Sequence, residues 1–445
     1  MGGLESDSAH HALSISGVSI DTRTIRAGNL FIPIIRLDNG HQYVQEAMDK
    51  GAVASLWQAD QPNPPEGIPL IKVPNTLKAL QNLSKAYRDQ LDVKVIGVTG
   101  SNGKTTTKDM LHAIASTIYK TQKTIGNYNG EYGLPLTLLE LEEDTEVAIV
   151  EMGMSHAGEI RLLSELARPD IAIITMIGVS HIANLGSKEA IAHAKLEIVA
   201  GLHQKGLLLI NGDDPVLAKA LSELDLPTSI RTLRFGGAAG NELYLLEQKV
   251  TDTTLHFRTN TQHEYVLPML GNHNVLNALA AIASSSELHI PADKIAAGLL
   301  QVVVTEMRMQ RIQTKFGYTI INDAWNASPS SMEAAIQTLI SLSGYKHKIL
   351  VLGDMLELGP DEIKYHIKIS ESIRYDEIDY VFTIGPLSEV ITQELFNRFP
   401  PSHVQHYENK EPLIDCIQHV LMKDDIVLVK GSRGMKLEEI VQRLI

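Results

Sequence analysis

Cysteine is almost missing from this chain of 445 residues: Cys416 stands alone, so no internal disulfide can form and nothing points to an oxidising compartment. A basic excess is missing too. Lysine and arginine total 39 against 53 aspartate and glutamate, a formal charge of −14, which argues against a general nucleic-acid binder. No apolar run approaches the ~20 residues that a membrane span needs. The opening Met1-Gly2-Gly3-Leu4-Glu5-Ser6-Asp7 lacks a basic segment followed by an apolar one, so no signal peptide is expected. Short-period repeats and low-complexity tracts are also absent. A cytoplasmic protein, with no nucleic acid as partner and no membrane span, is the expectation.

What is present reads as an ordinary globular mix, 44% hydrophobic and 21% charged. At ~150 residues per domain the length suggests roughly three, each large enough to fold without disulfide or metal staples. Short strands and helices alternate over the first ninety or so residues: strands at 17–20, 29–35, 52–57 and 69–73, helices at 43–50 and 77–88. The proline-bearing stretch 61–67 reads as a loop within this unit. From Val95 to about residue 304 the pattern is strand then helix, with buried-type strands at 95–98, 147–150, 171–174 and 207–210 and a helix at 275–286. The alternation resumes with strands at 319–321, 348–352, 380–384 and 426–429. Three α/β units in series are predicted, over 1–92, 93–307 and 308–445.

The sharpest local signal is the run from Val95 to Thr107, which ends in TGSNGKTTT. Placed between an apolar strand and a helix, it has the build of a phosphate-binding loop. Gly100 and Gly103 let the backbone turn its N–H groups, with those of Ser101 and Asn102, toward phosphate oxygens, and the helix start adds its positive end. Lys104 can neutralise β- and γ-phosphates, while Thr105, followed by Thr106, can ligate Mg²⁺. Val98 stands where the commoner GxxxxGK[ST] pattern has glycine. ATP is the expected ligand, but such a loop alone names no reaction. Glu151 closes an apolar strand and is either a magnesium ligand in the crevice or a solvated strand-end acid. His181 and Lys195, read alone, are a structural histidine and a solvated helix lysine. Asn274 and Asn277, three apart on a helix, face the same way.

TGSNGKTTT, EMGM, SHxxxLGS, AKLEI, GNHNVLNALAA, INDAWNASPSSM, VLGDMLELG and VKGSRGMKLEEI occur in that order. Together they resemble the Mur ligases of peptidoglycan synthesis, and within that family the type that adds a D-alanyl-D-alanine dipeptide. The resemblance implies a three-domain architecture, with a central P-loop parallel-sheet ATPase domain and a C-terminal Rossmann-like domain that closes on ATP. It implies ATP-dependent joining of D-alanyl-D-alanine to UDP-N-acetylmuramoyl-tripeptide through an acyl phosphate, by a monomer using two Mg²⁺ ions. On that basis Lys104 and Thr105 bind phosphates and the first metal with Glu151, while His181 helps hold the second. Lys195 matches the family lysine that CO₂ carbamylates. Asn274 and Asn277 match residues that read adenine; Arg308, Asp323 and Asn326 match groups that reach ATP from the last domain. Thr22, Arg23, Gly40, His41, Asn127 and Asn129 fall in segments resembling the uridine-nucleotide site. His366, Lys430, Ser432 and Arg433 fall in segments tied to closure and the dipeptide.

The chain departs from the family pattern at Met176 and Val179, at Gly130 where asparagine is common, and at Met307 where glycine precedes Arg308. A helix and strand that often precede the first segment are also lacking. Two other readings accompany these departures: a related ligase with another acceptor, and a nucleotide-binding paralogue without turnover.

Overall fold

A computed structural model describes residues 13–303 and 305–445. The opening residues, on which the expectation about a signal peptide rests, lie outside that range. Three sheets follow one another along the chain. The first has four parallel strands in sequential order: Gly17–Ser19, Asn29–Phe31, Ala54–Gln58 and Leu70–Val73. The helix Thr76–Arg88 starts where the Asn75 side chain accepts the Lys78 N–H. It presses Leu80 onto Leu30, Ile32 and Leu56 of that sheet.

The second sheet has nine strands. At its centre the buried strand Lys94–Thr99 lies between Val147–Glu151 and Ile171–Ile174, all parallel. Their carboxyl ends therefore open side by side, which is where ligands bind in such sheets. The strands predicted at 95–98, 147–150, 171–174 and 207–210 are all found. Strand–helix alternation does not continue to residue 304, however. Leu243–Val250, Leu255–Thr259 and Glu264–Leu267 run antiparallel as hairpins at the sheet's far edge. These strands are partly exposed and mix polar with apolar residues, so they lack the continuous apolar signal that marks a doubly covered strand.

One face of this sheet is covered by the helices Lys104–Ala115, Asn274–Glu287 and Ala292–Leu300. Leu279, at the middle of that layer, is fully buried among Leu111, Ile114 and Ile295. Its truncation to alanine is expected to destabilise this unit by about 2–5 kcal/mol, seen as a lowered transition in scanning calorimetry.

The third sheet has six strands; the first, Gln310–Gln313, is antiparallel to the second, and the rest are parallel. It contains the four predicted strands together with Gln310–Gln313 and Val404–Tyr407. Pairing of Thr319–Asp323 with Ile426–Lys430 sets Asp323 opposite Lys430.

Candidate active site

The phosphate loop folds as its glycines require. Gly100 has φ 147° and Gly103 φ 83°, and a side chain at either would strike Thr175 or Asn277. Gly103 starts the helix Lys104–Ala115 without a side-chain cap, so the first-turn N–H groups stay open to an anion. Lys104 Nζ donates to Gly100 O at 2.9 Å. Burial holds its ammonium below the ordinary lysine range, although Glu151 pulls the other way. The Ser101 hydroxyl is buried with no hydrogen-bond partner among the described residues, as expected of a donor awaiting an oxygen ligand.

Glu151 ends its strand inside the crevice. Its Oε2 accepts from Thr105 Oγ1 at 2.9 Å and its Oε1 from Asn129 Nδ2 at 2.7 Å. The solvated reading of this acid is therefore set aside. A cavity of about 560 Å³ brings Lys104, Thr105, Glu151, His181, Lys195 and Arg308 together, with Gly100, Ser101, Asn127, Asn129 and Asn326 also on its wall. Lys195, on the helix Lys188–Leu196, is buried rather than solvated. Burial pushes its ammonium well below the ordinary range and Lys104 repels it further; among the described residues no carboxylate balances it. His181 has φ 63° and its Nδ1 lies 2.7 Å from Glu357 Oε2. Burial holds its ring below the usual imidazole range, against the pull of Glu357.

A narrower cleft of about 110 Å³ continues from the loop between Gly103, Thr106, Asn274, Asn277, Asp323 and Lys430. Met176, Arg308 and Asn326 also face it. The two asparagines are bonded to each other, Asn277 Nδ2 donating to Asn274 Oδ1 at 2.9 Å. Lys430 Nζ donates to Asp323 Oδ2 at 2.6 Å and to Asn326 O at 2.9 Å. The third unit is seated directly on the phosphate loop: Asn102 Nδ2 lies 3.1 Å from both Ser328 Oγ and Ser330 Oγ.

A third, open cleft of about 970 Å³ lies at the first unit and contains Thr22, Arg23, Gly40 and Tyr132. Asn127, Asn129 and Gly130 line this cleft and the central cavity alike, so the two adjoin. Two expectations are corrected. The His41 ring is buried, with Nδ1 at 2.8 Å from Asn39 Oδ1 and Nε2 accepting the Gln58 N–H at 3.1 Å. His366 is fully buried, with Nε2 accepting the Met355 N–H at 2.9 Å and Nδ1 bonded to Glu362 O at 2.7 Å. Both rings hold loops in place and have no nitrogen left for a substrate. Ser432 likewise accepts the Leu356 N–H at 2.9 Å, whereas Arg433 is half-exposed beside Trp325, 5.1 Å from the ring centre.

The departures acquire physical reasons. Val179 is buried among Met332, Met355 and Leu358 of the third unit, where a carboxylate would be stranded. Met307 holds φ 59°, the left-handed conformation that glycine adopts without cost. Gly130 leaves open space on the wall shared by the two cavities.

Sequence reasoning missed four residues. Lys108, one turn beyond Lys104, is buried with Nζ 3.7 Å from Glu151 Oε2. Asp109 accepts from Lys123 Nζ at 2.6 Å and, through Oδ2, from the Thr305 hydroxyl at 2.7 Å and Thr305 N–H at 3.1 Å. That ties the phosphate-loop helix to the connection between the second and third units. Trp325 lies on the central cavity, and Glu357 was visible only as a letter of the GDMLELG segment.

A phosphate loop, a carboxylate bonded to its threonine and a further α/β unit seated on both define a nucleotide-using enzyme of the phosphate-loop class. The family models for the Mur ligase middle domain and the Mur ligase glutamate ligase domain match residues 98–285 and 307–433. The chain belongs to the Mur ligase family. It is 48% identical to the UDP-N-acetylmuramoyl-tripeptide–D-alanyl-D-alanine ligase of Bacillus subtilis, over 97% of this chain and 93% of that one. Identity to the Escherichia coli enzyme of the same name is 32%, covering 97% and 94%. Among solved structures, MurF of Acinetobacter baumannii superposes with a TM-score of 0.86 at 28% identity, covering 97% and 93%. MurF ligase of Thermotoga maritima in complex with ADP gives 0.83 at 26%, covering 97% of each chain.

Proposed function

We propose that the chain joins D-alanyl-D-alanine to UDP-N-acetylmuramoyl-tripeptide at the expense of ATP, making the pentapeptide precursor of peptidoglycan. It acts as a cytoplasmic monomer with working units at 1–92, 93–307 and 308–445. One observation carries this reading beyond the family likeness. The Asn127–Gly130 segment walls both the phosphate-loop cavity and the cleft bearing Thr22 and Arg23, so a long substrate held in the cleft can present its free end to ATP.

The tripeptide carboxylate attacks the γ-phosphorus, giving an acyl phosphate and ADP. The dipeptide amine then adds to the acyl carbon, and the tetrahedral species collapses to amide and phosphate. Both steps gather negative charge on oxygen, so positioning and electrostatics supply most of the acceleration. Lys104 and the open N–H groups of the helix start hold the phosphates; Arg308 reaches the same space from the third unit. Asn274 and Asn277 face the base side of the nucleotide cleft, and Asp323, held by Lys430, faces the ribose side. Asn326, on the wall of both cavities, faces the phosphates, and Arg433 is assigned to the dipeptide. Magnesium, where bound, supplies positive charge to the phosphate oxygens. The hard oxygens of Thr105 and Glu151 and the orphaned Ser101 hydroxyl fit that ion and its phosphates. His181 and a carbamylated Lys195 would hold a second.

Phosphate release with ATP, Mg²⁺, UDP-N-acetylmuramoyl-tripeptide and D-alanyl-D-alanine, leaving out each in turn, tests the reading. Release should require all four, with a product heavier by the dipeptide minus water. ATP binding without release would identify a paralogue lacking turnover, and release with a different amine would change the acceptor.

A further inference from the structure

We infer that Asn102 is a positioning residue whose side chain latches the third unit onto the phosphate loop and so slows the release of nucleotide. The inference rests on the reading of the phosphate-loop cleft as the nucleotide site. Asn102 belongs to the loop itself, between Ser101 and Gly103. In a loop of this kind the backbone N–H groups serve the phosphates, which leaves the side chain for another partner. Its Nδ2 lies 3.1 Å from Ser328 Oγ and 3.1 Å from Ser330 Oγ, so each amide proton has a serine hydroxyl as acceptor. The Ser328 hydroxyl also approaches Asn102 Oδ1 at 3.4 Å.

Both halves of the contact are held from behind. On the loop side the Asn102 carbonyl accepts the Thr175 hydroxyl at 2.5 Å, and the Ser101 N–H donates to Met176 O at 2.9 Å. On the other side Ser328 is buried at the start of the helix Pro329–Ser341, its N–H donating to Ser331 Oγ at 2.9 Å. A β-carbon at Gly178 would lie 3.2 Å from Ser101 Cβ and 3.5 Å from Ser330 Oγ, a measure of how closely the two units meet. Asn102 and Ser330 both stand on the wall of the cleft of about 110 Å³ that Asn277, Asp323 and Lys430 also line. A nucleotide seated there is walled by the second and third units together, so its departure is eased by any loss of contact between them. Retention of the nucleotide and docking of the third unit are therefore linked: what weakens one weakens the other.

Surface plasmon resonance with ADP and Mg²⁺ over the immobilised protein reads both binding rates, with no UDP substrate or acceptor present. Asn102→Ala should release ADP about tenfold faster, with the association rate within about twofold of the wild type. Ser330→Ala, which leaves the loop untouched, should quicken release by about threefold. The double variant should release ADP no faster than Asn102→Ala alone, because the bond it would break is already gone. Unchanged release in Asn102→Ala, a loss of affinity carried wholly by slower association, or losses that simply add in the double variant would each overturn the latch. A wild type that binds no ADP overturns the nucleotide reading, and the latch with it.

Discussion

Replacing Lys104 by methionine is expected to cut turnover by about a thousandfold, and ATP affinity with it. The ammonium sits in the mouth of the phosphate loop against Gly100 O, out of bulk water, so its attraction for phosphate is weakly screened. Methionine keeps the length and the packing of the stem and removes only the charge. Calorimetric titration with ATP and the phosphate-release assay read the two losses separately. An unchanged circular dichroism spectrum shows that the fold is retained. A variant within tenfold of the wild-type rate would remove Lys104 from phosphate handling.

Lys195→Ala should lose at least about a hundredfold in rate and recover part of it with millimolar acetate or formate. The warrant is electrostatic. A buried amine with a lysine for its charged neighbour, and among the described residues no balancing carboxylate, is held well below its ordinary range, which favours the neutral form that reacts with CO₂. Addition of CO₂ there would release a proton and turn the amine into an anionic oxygen donor beside Lys104 and the cavity. Truncation leaves room in which a small carboxylate can take up the same charge. Protein equilibrated with ¹³CO₂ should show a carbamate carbon resonance that the alanine variant lacks. Full rate in the untreated variant removes Lys195 from the mechanism.

The phosphate loop was legible in the sequence because strand, glycines and helix are adjacent in the chain and each obeys a local rule. Glu151 was legible as a position but not as a partner, since its bonds to Thr105 and Asn129 span distant segments. Histidines show the limit most sharply. His41, His181 and His366 look alike in the chain, yet only His181 turns its ring to a cavity; the other two spend both nitrogens on scaffold. Burial of Lys108 and Lys195 was equally hidden, because a lysine on an amphipathic helix is solvated unless another element covers it. The hairpins at the edge of the large sheet escaped because their polar faces erase the apolar pattern of the central strands.

The bonds from Thr305 to Asp109 tie the start of the third unit to the phosphate-loop helix, and any turn of that unit about the tie would move distant groups more than near ones. Groups close to an axis trace short arcs, and groups far from it trace long ones. Arg308 follows Thr305 almost at once and lines the central cavity with it. Ser328, Ser330 and Glu357 lie farther along the chain and meet the second unit at Asn102 and beside His181. Were the third unit to turn about this tie, Arg308 would travel least and the contacts at Asn102 most.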